Sequence, residues 1–299
     1  MKREDKLILA EQCRNAGAFR PVDPEILNHL AVKPERKLIG ANEKGVDTWI
    51  FDGTQGEKNR PLFINLHGGG FIKGRANRDS VYCSLIAETY RASVWDVDYV
   101  LAPEYPFPAA VYETYDIVRY AYEHAEEYGF DPKRIFILGH SAGSNLACGA
   151  LILNHRNPAF EIRGLLLDYI PCDQRLNPFT KLKSEDYSDQ RRVSRALMEY
   201  NYLELYMEPE QCIDELASPV LADDETLASF PDTLVITAGL DSLLEEGERF
   251  ANRLAKAGTA VTWRRFVNSP HGFTINRTGE WGEALALHKR FIGSLLMEE

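Results

Sequence analysis

The pentapeptide Gly139-His140-Ser141-Ala142-Gly143 leaves this chain few ways to fold. It follows the apolar run Ile135-Phe136-Ile137-Leu138 and precedes 145–153, a small and apolar stretch that reads as a buried helix. Strand, sharp turn and helix in that order put the serine on a turn so tight that its backbone is strained and its hydroxyl exposed. Glycines two residues to either side leave the room such a turn needs. The motif alone is a weak signal, and its flanks are what give it weight.

The rest of the chain has a matching rhythm. A helix is expected over 4–16 and a short one from Pro24, then strands at 48–51 and 62–66 separated by the polar turn 53–58. The second strand runs into His67-Gly68-Gly69-Gly70-Phe71. Three successive glycines cost chain entropy and supply no packing, so they mark a backbone that something approaches closely. A helix from about Ser80 carries Tyr82, Leu85, Ile86 and Tyr90 on one face. A strand at 92–97, a helix striped by Val111, Tyr115, Val118 and Tyr122, and the strand before Ser141 follow. Beyond it come strands at 162–170, 234–238 and 261–266, with helices bearing Phe250 and Leu254 and, last, Ala284, Leu287, Phe291 and Leu295. Strands alternating with helices of this length imply an α/β fold, a mostly parallel central sheet flanked by helices. The rhythm breaks at 177–221, which is polar and tyrosine-rich, with one helix near 193–206 and no strand. That stretch reads as an insertion over one end of the sheet. The expected division is an N-terminal segment 1–45, core 46–176, insertion 177–225 and core 226–299.

With 299 residues the chain is long enough for one large domain. Its net charge of -11 argues against nucleic acid or an anionic membrane as partner. The N-terminus has only a four-residue apolar run and no stretch is long enough to span a bilayer, so a cytoplasmic location is expected. Cys13, Cys83, Cys148, Cys172 and Cys212 are widely spaced and odd in number, suggesting neither a disulfide framework nor a zinc site. No cofactor is expected: phosphate- and dinucleotide-binding glycine patterns are absent, and no metal-ligand spacing stands out.

A serine hydroxyl needs a base to take its proton, and the base needs a carboxylate to fix its tautomer. Asp241 follows the strand ending at Ala238, and His271 lies in the turn-rich Asn268-Ser269-Pro270-His271-Gly272-Phe273 after the last strand. Ser141, Asp241 and His271 therefore all fall at carboxyl ends of strands, where open α/β sheets build their sites. His29, His124, His155 and His288 read as structural, and His67 and Asp98 as braces of their loops. His140 adjoins the serine, but neighbouring side chains at a sharp turn point apart. An oxyanion would be met by backbone N–H groups of Gly69, Gly70 and Ala142.

These segments resemble the hormone-sensitive-lipase-like family of bacterial carboxylesterases, α/β-hydrolases whose oxyanion loop reads HGGG, as at 67–70. The likeness runs through DYVLAPEYPFPAA at 98–110, GHSAGSNLA at 139–147, SPVLADD at 218–224, ITAGLDSLLEEG at 236–247 and HGF at 271–273. It implies Ser141 as nucleophile, Asp241 as acid, His271 as base, Gly69, Gly70 and Ala142 as oxyanion hole, and a helical cap built from the N-terminal segment and the insertion. The family usually has Asp at His140, Arg at Val100 and often Gly at Ser144.

The expected reaction is hydrolysis of small short-acyl esters through an acyl-enzyme, with removal of acetyl groups from sugars as one cellular task. A small-molecule ester is the expected partner, and a homodimer is compatible with the sequence. A ligand receptor on the same fold is disfavoured by the complete Ser–Asp–His set, and an interfacial lipase by the polar insertion. Within that insertion Leu203, Tyr206 and Met207 form a helical stripe that either packs the cap down or, with Tyr202, roofs an acyl pocket beside Phe71.

Overall fold

Apolar runs without polar alternation suit strands covered on both faces, and the inner strands here divide their side chains that way. The computed structural model describes residues 1–16, 19, 21–182 and 184–297. Residues 17, 18 and 20 of the N-terminal segment, 183 of the insertion, and 298 and 299 lie outside the described residues. Helices α1 (Arg3–Ala16) and α2 (Pro24–Asn28) precede strands β1 (Pro34–Ile39), β2 (Val46–Asp52) and β3 (Arg60–Leu66). Then come α3 (Asn77–Tyr90), β4 (Ser93–Val97), α4 (Ala109–Glu123), the short α5 (Ala125–Tyr128), β5 (Phe130–His140), α6 (Ala142–Arg156) and β6 (Gly164–Asp168). The chain continues through α7 (Gln190–Tyr206), α8 (Asp224–Ala228), β7 (Thr233–Ala238), α9 (Leu244–Ala257), β8 (Val261–Phe266), α10 (Phe273–Asn276) and α11 (Trp281–Met297).

The eight strands form one sheet in the order β1-β2-β4-β3-β5-β6-β7-β8. β1–β2 and β2–β4 pair antiparallel and the remaining pairs are parallel. Leu62, Ile64 and Leu66 of β3, Ile135 and Ile137 of β5, and Leu165 and Leu167 of β6 enter one core. Phe63, Phe136, Leu138 and Leu166 enter the other, with α3 and α11 residues. Each such side chain contributes about 1.5–3 kcal/mol on burial, so the two cores hold the sheet between helical layers. The chain passes from β3 outward to β4 and returns to β5 on β3's other side, which sets the loops after β3 and β5 next to each other. That reversal is where an open α/β sheet leaves its crevice.

One element departs from the sequence reading. Within 1–45, Pro34–Ile39 is not part of a separate segment but the antiparallel edge of the sheet, registered from Pro34 opposite Phe51 to Ile39 opposite Val46. Half of its residues are charged and most are exposed, as suits a sheet edge, so no apolar alternation announced it. The stretch 177–225 holds α7 and short 3-10 turns, and no strand among its described residues. α7 begins at Gln190, where the Asp189 carboxylate caps it by accepting from the Arg191 amide at 2.9 Å. α1 packs against α7, Lys6 reaches Glu208 at 2.7 Å, and Arg14 donates to the Ile72 carbonyl at 2.9 Å and to the Glu104 carboxylate. No helix among the described residues is long and apolar enough to cross a membrane. Cys148 is buried in α6 as a free thiol.

Candidate active site

β5 ends at His140 and α6 begins at Ala142, leaving Ser141 alone to turn the chain, at φ 55° and ψ -118°. That conformation costs a non-glycine residue about 1–3 kcal/mol. The surroundings hold it: the Ser141 amide donates to the Asp168 carbonyl at 2.9 Å, and the Ser144 hydroxyl donates to the same oxygen at 3.1 Å. The flanking glycines are steric necessities. A Cβ on Gly143 would lie 2.0 Å from the Leu66 carbonyl oxygen, and one on Gly139 2.5 Å from the Ser144 Cα.

The turn aims Ser141 Oγ at His271 Nε2, 2.9 Å away. His271 Nδ1 lies 2.6 Å from Asp241 Oδ2. The three residues follow the ends of β5, β7 and β8, all within the four strands β5-β6-β7-β8 at one side of the sheet, and the structure brings them together. Asp241 is 1 % exposed and His271 19 %. Burial alone would raise the Asp241 carboxyl, but the charge of and hydrogen bond to His271, then Arg195 and the Leu243 amide, hold it below its ordinary value. Arg195 is a residue that sequence reasoning missed. It stands on α7, and its Nη2 lies 3.3 Å from Asp241 Oδ1 while its Nε donates to Glu199 Oε1 at 2.7 Å. Glu199 Oε1 also accepts from the Ser242 hydroxyl at 2.6 Å. Arg195 and Glu199 sit one turn apart on a polar helix, where a solvated pair is the ordinary expectation, and only their position over Asp241 distinguishes them.

A cavity of about 250 Å³ opens above Ser141, walled by Gly68, Gly69, Gly70, Phe71, His271 and, from α7, Arg195, Glu199, Tyr202 and Leu203. The Gly69 and Gly70 amides donate to no acceptor among the described residues, and the Ala142 amide, first in α6, has no intrahelical one. Gly69 and Gly70 line the cavity beside the serine, and negative charge developing there would meet amides with no other acceptor. Tyr202 lies directly on the glycine loop: a Cβ on Gly70, at φ 62°, would come within 2.1 Å of its ring.

The second cap tyrosine needs correction. Tyr206 is 1 % exposed and is not among the cavity walls. It stacks on Phe71 at 3.8 Å between centroids, 4° from parallel, and meets Phe107 edge-on. Two ring planes in contact leave no gap for substrate, so Tyr206 backs Phe71 and does not touch the cavity. Met207 is buried with it, whereas Leu203 lines the cavity, so the helical stripe divides between packing and lining.

The remaining candidates are accounted for. His67 is fully buried, stacked on Tyr99 at 4.2 Å, with Nε2 3.5 Å from Asp98 Oδ1; Asp98 also accepts from the Arg75 amide at 3.2 Å. Both brace the glycine loop. His29 and His124 point Nδ1 at the carbonyls one turn earlier, 2.8 and 2.9 Å away. His140 turns away from Ser141: Nδ1 lies 3.1 Å from Asp168 Oδ2 and Nε2 3.2 Å from Asn65 Oδ1. Asp168 Oδ1 meets His288 Nε2 at 3.0 Å, and its Oδ2 accepts from Thr274 at 2.7 Å. This second carboxylate–imidazole cluster was invisible in the sequence, because its members are up to 148 positions apart by their numbers (288 − 140) and carry no local motif.

Comparison with known proteins places these features in company. Residues 63–275 match the model of a family described as having the alpha/beta hydrolase fold. An AB hydrolase superfamily protein of Schizosaccharomyces pombe is 32% identical over 269 residues, covering 86% of this chain and 77% of that one. An arylesterase of Saccharolobus solfataricus is 30% identical over 221 residues, covering 72% and 69%. Among solved structures, an esterase of Pyrobaculum calidifontis superposes with a TM-score of 0.83 at 26% identity, covering 99% of each chain.

Proposed function

The chain belongs to the alpha/beta-hydrolase fold family and is a carboxylester hydrolase; from that premise we propose that it cleaves small, short-acyl esters through an acyl-enzyme on Ser141. The observation that carries this reading is the unbroken sequence of contacts from Ser141 Oγ to His271 Nε2 at 2.9 Å and from His271 Nδ1 to Asp241 Oδ2 at 2.6 Å, at the floor of a cavity.

Ser141 Oγ attacks the ester carbonyl carbon as His271 Nε2 takes its proton. The carbonyl electron pair moves onto oxygen, where the amides of Gly69, Gly70 and Ala142 receive it. The tetrahedral adduct collapses, the C–O bond to the alcohol breaks, and His271 gives its proton to the departing oxygen. Water then attacks the acyl-enzyme by the same route, with His271 again as base. Asp241 stays ionised, fixing the Nδ1–H tautomer and steadying the imidazolium. The residues resemble the HGGG-type branch of the family, with 67–70 as the oxyanion loop.

In this reading α1, with the rest of the N-terminal segment up to β1, and 177–225 form a cap over the carboxyl edge of the sheet. Phe71 and Tyr202 shorten the acyl site, while polar wall groups such as Gln174 and Asn276 suit a polar alcohol, an acetylated sugar among them. A charged rim with Lys181 and Glu246 speaks against a lipid-interface lid. Five free thiols fit a reducing compartment, the cytoplasm.

The test is covalent. Wild-type protein treated with a sulfonyl fluoride should gain one adduct by intact mass, mapped to Ser141, and Ser141→Ala should gain none. An adduct elsewhere, or an unlabelled but active enzyme, would remove Ser141 from the role.

A further inference from the structure

Several charged groups around the cavity are paired with one another. Lys181 Nζ lies 2.6 Å from Glu246, Arg195 meets Glu199 at 2.7 Å and Asp241 at 3.3 Å, and Asp173 takes Arg175 at 2.8 Å and Arg249 at 2.6 Å. Arg78, in the first turn of α3, also lines the cavity but has no carboxylate within ion-pair distance among the described residues. Its Nη1 donates to Asn276 Oδ1 at 2.9 Å, and its guanidinium carbon lies 3.5 Å from the centre of the Phe19 ring. Among the described residues Nε is buried without an acceptor and Nη2 has none.

Two features make this more than a solvated arginine. The Nη2 end keeps N–H groups for a carboxylate oxygen, and here Asn276 and Phe19 fix the plane in which the guanidinium lies. A second cation crowds the same spot, since Lys73 Nζ is 5.6 Å from the centre of the same Phe19 ring. An anion held at Arg78 would lie in the combined field of the two cations.

We propose that Arg78 holds a carboxylate on the substrate, remote from the scissile carbonyl, so that the preferred esters are anionic. The proposal rests on the esterase reading and narrows its substrate class.

Two matched pairs test it and say which side of the ester bears the charge. For the acyl side, p-nitrophenyl pentanoate is compared with the mono-p-nitrophenyl ester of glutaric acid; for the alcohol side, methyl 4-acetoxybenzoate with 4-acetoxybenzoate. In one pair the anionic member should have the higher kcat/KM, by about 10- to 100-fold, the worth of hydrogen bonds to a charged group. Most of the gain should appear in KM. In Arg78→Gln that ratio should fall to about one, and Arg78→Lys should restore part of it. Ratios near one in both wild-type pairs, or a ratio unmoved by Arg78→Gln in protein of wild-type Tm, would overturn the proposal while leaving the esterase intact. Failure to hydrolyse either neutral ester would instead strike the esterase reading, and this subsite with it.

Discussion

Two carboxylate–imidazole pairs lie back to back across the same turn, and they do different things. In front, Asp241 and His271 leave one imidazole nitrogen facing Ser141 in an open cavity. Behind, Asp168 is shared between His140 and His288, and the outer nitrogens of both rings are already engaged, by Asn65 at 3.2 Å and by the Tyr82 hydroxyl at 3.1 Å. The two pairs share chemistry and differ in access. An imidazole with both nitrogens engaged has no proton to trade, so it fixes structure; one with a free end beside a hydroxyl is a base. The rear cluster also braces the front, because the Asp168 carbonyl anchors the Ser141 amide.

Breaking the front pair should cost the most activity. Ser141→Ala should lower kcat by about 10⁶-fold with Tm unchanged, measured on p-nitrophenyl acetate. Asp241→Asn should cost about 10⁴-fold, since the amide favours the wrong imidazole tautomer.

The same change behind the turn should behave oppositely. Asp168→Asn should leave kcat of the folded protein within about tenfold and instead remove about 3–5 kcal/mol of stability in urea titration, as when a buried pair loses a partner. A kcat loss as large as that of Asp241→Asn, in folded protein, would merge the two pairs into one system. The stability difference should also depend on pH with a defined sign. Burial would raise the Asp168 carboxyl, but the charge of His288 and the hydrogen bonds from His140 and His288 hold it well below the carboxylate range. A depressed carboxylate contributes its full stability above the unfolded value of about 4 and loses it as pH falls toward the folded one. The gap between wild type and Asp168→Asn should therefore be constant near neutrality and close on acidification below about pH 4. A gap that widens there would reverse the sign.

Arg195 sharpens the contrast, since a residue of α7 touches the front acid and no residue of α7 touches Asp168. Arg195→Met should lower kcat by about tenfold, because Arg195 is one of the charges that hold the Asp241 carboxyl below its ordinary value. An unchanged kcat would leave Arg195 as packing alone. The smallest effect separates the two cap tyrosines: Tyr202→Ala should shift preference toward longer acyl chains by a few-fold, whereas Tyr206→Ala, buried behind Phe71, should mainly lower Tm. The reverse pattern would return Tyr206 to the cavity wall.

What the sequence determined was whatever local chemistry enforces. The inner parallel strands were legible because a strand covered on both faces is mostly apolar, and the turn at Ser141 because only glycine avoids Leu66 and Ser144 at positions 143 and 139. The order Ser141, Asp241, His271 at strand ends could be read for the same reason, since each follows a recognisable strand. What tertiary structure alone decided was every meeting of residues with no periodic signature. β1 is half charged and mostly exposed and exists through its ladder to β2; the rear cluster gathers His140, Asp168 and His288 from three separate elements; Arg195 reaches Asp241 from α7, and Tyr206 turns behind Phe71 while Tyr202, one helical turn away, faces the cavity. Such contacts depend on how layers are set against each other, and polar or aromatic side chains on an exposed-looking helix carry no mark of which neighbour will cover them.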